Sequence, residues 1–137
     1  MAVLTSAEVI DQAQDIYIQG SYEIALTNST SNYTNSVSLA TVEADEVNTG
    51  DGGYARLSYS YTNQDLGTYG NGQPFTQKTA NFVHDGSSTA IVFNHVVLIR
   101  NISGTRTVLG YQSLGVTTTL TNGNTAKINI NLTHGAQ

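Results

Sequence analysis

The chain has 137 residues, no cysteine, and a net charge of −5 from five cations and ten acids. A domain of this size buries about two-thirds of its unfolded surface without metals or disulfides, and the missing thiols exclude a disulfide framework, a thiolate zinc site and a cysteine nucleophile. The cations Arg56, Lys78, Arg100, Arg106 and Lys127 are too few to neutralise a run of phosphates, which argues against nucleic acid or an anionic membrane as a partner.

Charged residues make up only 11% of the chain, against about 25% in ordinary globular proteins. Thr, Ser and Asn take their place, and a surface of hydroxyls and amides can be covered by a neighbouring subunit at a small desolvation cost. The same composition generates four N-glycosylation triplets, at Asn28, Asn32, Asn101 and Asn131, which are read as coincidence.

The amino-terminal MAVLTSAEVID lacks the basic region and long apolar run of a secretory signal or transmembrane helix, so a soluble protein is expected. Thr5 and Glu8 form a capping box ahead of Val9, Ile10 and Ala13, predicting one short helix within residues 1–15. After it the chain alternates. Ile16, Tyr17 and Ile18 lead past a bend at Gly20 into a strand over 22–27, with Tyr22, Ile24 and Leu26 on one face.

Residues 28–36 are polar and uncharged, and read as a surface loop before a strand over 37–42. An acidic connector and GDGG follow. A strand over 54–62 then places Ala55, Leu57, Tyr59 and Tyr61 on one face and Tyr54, Arg56, Ser58 and Ser60 on the more polar one. Residues 63–73 hold three glycines and precede the sole proline, Pro74, as a long connection suited to a subunit contact.

The segment 90–100, AIVFNHVVLIR, is the most apolar and predicts a central strand buried on both faces, with His95 on the parity of Phe93 and Val97. A turn at Ser103 and Gly104 returns the chain through a partner strand over 107–114. Strands over 116–120 and 125–132 flank a type I′ turn at Asn122 and Gly123 as a closing hairpin, with Ile128, Ile130 and Leu132 on one face. About seven to nine short strands behind one small helix predict a mainly β chain. The expected architecture is a single-domain antiparallel β-sandwich or jelly-roll-like barrel over 1–137, with residues 1–15 as an amino-terminal segment and 16–137 as the sandwich.

Candidate chemistry is thin. Gly50, Gly52 and Ala55 satisfy GxGxxA, but such a loop must leave a strand and open a helix, whereas Tyr54 starts a strand. A tight turn with Gly52 or Gly53 at positive φ is expected instead. Glu43, Asp45, Glu46 and Asp51 could offer oxygens to calcium or a carboxylate pair to a glycosidase. Val47 stands where an EF-hand ligand would be needed, and a solvated acidic loop is the plainer reading.

His84 with Asp85 reads as a turn, His95 as a satisfied or partly exposed strand residue, and His134 lies near the end. No HxH, HExxH or GxSxG spacing occurs, so no metal, cofactor or catalytic residue is assigned and the protein is read as no enzyme. Tyr54, Tyr59, Tyr61 and Tyr69 cluster around one strand and its following loop, where tyrosines pack or anchor interfaces.

The stretch GGYAR (Gly52, Gly53, Tyr54, Ala55, Arg56) follows a Y-x-x-A-L strand at Tyr22, Ala25 and Leu26 and a small amino-terminal helix. Together with FNHVVLIRN, VLGYQSL and VTTTLTNGNTAKINI over most of the chain, it resembles a group of small bacteriophage virion proteins of marine or cyanophage type. Members of that group are tail-fibre-like or minor structural proteins, and similar small β proteins serve as capsid decoration subunits. The resemblance implies a structural role for GGYAR, no catalysis, synthesis in the host cytoplasm and a place in the virion.

The expected function is capsid decoration, or cement, on the outer shell, with the major capsid protein and other copies of the chain, as a homotrimer, for partners. The alternative is a tail or fibre module binding host glycans through Tyr and Asn side chains. Partner contacts are expected from the amino-terminal segment, residues 28–36 and residues 63–73, with Asn28, Asn32, Tyr33, Tyr69, Asn71 and Pro74 as candidates.

Overall fold

The computed structural model describes residues 21–60 and 75–133, with side chains in the second stretch from 79 to 130. The expected helix at 5–13, the strand at 16–18, the 63–73 connection with Tyr69, Asn71 and Pro74, and Tyr61 and His134 lie outside the described residues. The fold is mainly β and antiparallel. In order the elements are β1 (Ser21–Thr27), α1 (Leu39–Asp45), a 3-10 turn (Asp51–Gly53), β2 (Leu57–Tyr59), β3 (Phe75–Val83), β4 (Ile91–Ile102), β5 (Thr105–Leu120) and β6 (Thr125–Thr133). A four-stranded sheet runs β2-β1-β4-β5, and β3 pairs with β6 in a second sheet. No helix among the described residues is long and apolar enough to cross a membrane.

The two sheets share one core. Tyr22, Ile24 and Leu26 of β1, Ile91, Phe93, Val96 and Leu98 of β4, and Leu120 of β5 meet Ala80, Phe82, Ile128 and Ile130 of the smaller sheet, joined by Tyr54. Each of these larger apolar side chains is worth about 1.5–3 kcal/mol once buried. The opposite face of the large sheet carries a second, smaller core, where Ala25, Val97 and Ile99 are covered by Val42 of α1 and by Tyr33. With apolar groups on both faces, β4 is the doubly buried strand its composition predicts.

Three expectations are corrected. Residues 37–42 are not a strand: Ser38 caps a helix, its Oγ accepting the Thr41 N–H at 3.2 Å. Val37 and Leu39 pack beside buried Val42 on the second core. In VSLATV the apolar spacing serves either period, and the Ser38 cap together with burial at i and i+3 decides for helix.

The closing hairpin is not a hairpin either. Its turn forms, with Asn122 at φ 56°, Gly123 at φ 75° and the Asn124 N–H bonding the Thr121 carbonyl at 3.0 Å. Its arms, however, diverge: Leu120 pairs with Ile91 in the large sheet, while Thr125 pairs with Val83 in the small one. The turn is a corner between sheets, and 116–120 continues β5.

Finally, Phe93 and Val97 do not share a face. Phe93 pairs with Thr118 and His95 with Ser113, so one residue of β4 faces four of β5 across an irregularity in the ladder. The parity changes there: Phe93 joins Val96 in the first core, and Val97 joins the second. A register break of this kind re-aims every later side chain of the strand.

Candidate functional site

The GGYAR segment occupies the place where β1, α1 and the loop after β3 come together. Gly52 (φ 57°) and Gly53 (φ 78°) both take left-handed backbone. A Cβ on Gly52 would fall 2.5 Å from His84 Cδ2 and 2.8 Å from Ile91 Cγ1, so only glycine fits. Tyr54, expected on a polar face, is 2% exposed and packs on Phe82 with ring centroids 6.0 Å apart. The strand begins three residues later than predicted, at Leu57, which frees Tyr54 to turn inward.

Its phenol links three elements. The Tyr54 oxygen accepts the buried Leu26 N–H at 3.0 Å and donates to Glu46 Oε1 at 2.8 Å. Burial, reinforced by the Glu46 carboxylate, holds the phenol well above its ordinary range. Arg56 grips the same carboxylate side-on, Nε to Oε1 at 2.8 Å and Nη2 to Oε2 at 2.7 Å. It also reaches Glu43 at 3.3 Å and Glu23 at 3.6 Å. The fork is bidentate and partly shielded, and the Glu46 contact raises the guanidinium's hold on its proton. Ala55 is exposed.

This use of the acids replaces the solvated acidic loop. Glu43 and Glu46 turn to Arg56, and Asp45 Oδ2 accepts the Tyr33 hydroxyl at 3.0 Å. Among the described residues no three His, Cys, Asp or Glu side chains converge as a metal set.

His84 is also more than a turn residue. It is 2% exposed, and its Nδ1 accepts Gly86 N–H at 2.9 Å and Gly123 N–H at 3.4 Å, so Nε2 donates to the Thr89 carbonyl at 2.8 Å. Its own N–H bonds the Asn124 carbonyl at 2.9 Å, which seats the sheet-to-sheet corner. Only the HDG spacing hinted at it: Gly86 and Thr89 are local partners, but Gly123 and Asn124, which make it the seat of the corner, lie far along the chain.

The other built feature is a polar cleft of about 400 Å³ where the β4–β5 ladder opens. Ser29, Thr30, Ser31 and Asn32 form one wall, Ser113, Gly115, Val116 and Thr117 the other, with Asn94 and His95 between them. Asn94 stands in for a strand neighbour: its Oδ1 accepts Ser29 N–H at 3.0 Å and its Nδ2 donates to the Ser29 carbonyl at 2.6 Å. The same Oδ1 lies 2.6 Å from His95 Nδ1, which therefore carries the proton. His95 is 3% exposed and its Nε2 has no partner among the described residues. Burial lowers its pKa from the usual 6.5, against the opposing field of Asp45.

Of the candidate contact residues, Asn28 and Asn32 are exposed and Asn32 lines this cleft. Tyr33 is not available to a partner. It is 8% exposed, its ring 4.8 Å from His95 and 5.7 Å from Tyr111, so the 28–36 loop is anchored through its middle rather than lying free on the surface.

Comparison with family models, curated proteins and solved structures returned no match.

Proposed function

We propose that this protein is a non-enzymatic structural component of a bacteriophage virion. It is a decoration, or cement, subunit that sits on the outer shell as a trimer and bridges copies of the major capsid protein. The observation that carries this reading is β5. The strand is sixteen residues long, sits at the rim of the large sheet, and among the described strands pairs only with β4. Its single charge, Arg106, is already paired with Glu23 at 2.7 Å. Other exposed residues along the strand, such as Thr105, Thr107 and Gln112, are uncharged.

Sheet edges are usually guarded by lysine, proline or inward charges. A rim bearing hydroxyls and amides instead loses little solvation when a neighbour covers it. Binding the assembled shell and not its free subunits then stabilises the shell by linkage, repeated over every site. The resemblance of GGYAR and the later strands to phage virion proteins points the same way.

Particles assembled without this protein are expected to lose their genome at lower temperature and under milder osmotic shock than complete ones. Equal survival of both overturns the reading. Copy number checks the location: hundreds per particle fits the shell, whereas a few multiples of three or six assigns the chain to the tail or fibre.

A further inference from the structure

We propose that the cleft between the 29–32 loop and the irregular part of β5 is a binding site for a neutral saccharide. The inference goes beyond a place in the virion and is independent of where the subunit sits. Three observations carry it.

The lining sets the ligand's charge. Among the described residues no Lys, Arg, Asp or Glu borders the cleft. A phosphate or carboxylate would find no cation there, and a metal ion no carboxylate, so an ionic ligand would be desolvated without compensation. The hydroxyls of Ser29, Ser31, Ser113 and Thr117 each both donate and accept, which suits a ligand whose own groups do the same.

The polar centre is held in place. Both ends of the Asn94 amide are bound to the Ser29 backbone, and Asn94 in turn holds His95 Nδ1–H. The ring's remaining nitrogen is an acceptor without a partner among the described residues, on a side chain 3% exposed. Buried polar atoms in native proteins are nearly always satisfied, and this enclosed acceptor, with the equally unpartnered Thr27 hydroxyl on the residue paired with His95, leaves hydrogen-bonding capacity behind the cleft that a hydroxyl ligand can meet through a shared water. Burial also keeps the ring neutral, as an acceptor must be.

The walls supply shape. The ladder between Phe93 and His95 is broken, and Gly115 takes φ 74°, which opens the cleft to about 400 Å³, within the range of small-molecule sites. At its rim Val116 is 67% exposed, an apolar patch for the C–H face of a pyranose. Irregularities of this kind commonly sit beside functional sites, where they end strand pairing.

The test is a titration of the full-length, isotope-labelled chain, followed by amide NMR shifts. The probes are the methyl glycosides of glucose, galactose and mannose, N-acetylglucosamine, and inorganic phosphate. Saturable shifts confined to residues 29–32, 94–95 and 113–117 are expected with at least one sugar and not with phosphate. Ser113→Ala combined with Thr117→Val, both exposed positions, should weaken that binding about tenfold or more, with the remaining spectrum unchanged. Three results overturn the proposal: no saturable shift with any sugar, phosphate moving these amides while sugars do not, or the folded double variant binding as well as the parent chain. Should the variant misfold, the location of the shifts in the parent chain decides alone.

Discussion

At the scale of single residues, the glycine and tyrosine of GGYAR carry distinct burdens. Gly52 combines left-handed backbone with a contact that leaves no room for a methyl group against His84 and Ile91. Gly52→Ala should therefore destabilise the fold by about 2–5 kcal/mol, read from the denaturant midpoint. Tyr54→Phe keeps the packing on Phe82 but leaves the buried Leu26 N–H without an acceptor. A loss of about 1–3 kcal/mol is expected. The same variant has a pH signature. The native phenol keeps its proton above the unfolded value of about 10. The unfolded chain thus binds fewer protons there, and native stability falls as pH rises past about 10. Tyr33, raised by burial, adds to the same limb. In Tyr54→Phe the alkaline loss should be shallower, and an unchanged slope between pH 9 and about 11 would show that this phenol does not titrate as its burial requires.

At the scale of elements, α1 and β5 show how weak local preferences are fixed by contacts. Seven residues make a marginal helix, so the Ser38 cap matters. Ser38→Ala should cost about 1 kcal/mol and speed hydrogen exchange at Val42 more than at Phe93. For β5, the proposed role gives a direct check. Thr107→Lys with Gln112→Lys places two charges on the uncovered rim without touching either core. Occupancy on purified particles should fall while the free subunit's melting temperature stays within a few degrees. Full occupancy would remove β5 from the capsid contact. Segment type was readable where pattern and burial agree, as for Tyr22, Ile24 and Leu26, or for the two-sided apolar run of β4. It was not readable for 37–42, where both periods fit and the covering layer decides.

At the scale of the whole molecule, the histidine in the middle of the large sheet ties stability to pH. His95 is packed under Tyr33, beside Asn94, with Asp45 of α1 the nearby charge and Tyr111 of β5 beyond the Tyr33 ring. Its native pKa lies below the unfolded 6.5, chiefly through burial. As pH falls through about 6.5 the unfolded chain takes up the proton first, so stability declines with falling pH until the native ring also protonates. Above that window the contribution is flat. An NMR titration of the His95 ring should show a midpoint below 6.5. A midpoint at or above that value would mean the ring is not buried as described. Protonation strains the second core first, because the ring packs against Tyr33, whose hydroxyl ties the 28–36 loop to α1.

By itself the sequence determined the class of molecule: sparsely charged, thiol-free, alternating in hydrophobicity, hence an antiparallel β protein with its most apolar strand at the centre. It also determined the turns at Ser103–Gly104 and Asn122–Gly123, because left-handed backbone strongly favours glycine and asparagine locally. Tertiary structure alone decided which strands those turns join, since Asn122–Gly123 suits a hairpin and a sheet corner equally and only the seat on His84 selects the corner. It also made GGYAR a junction rather than a strand entry, and made the cleft at Asn94. Both depend on partners distant along the chain, Leu26 and Glu46 in one case and Ser29 in the other, and local periodicity carries no record of which distant groups will meet.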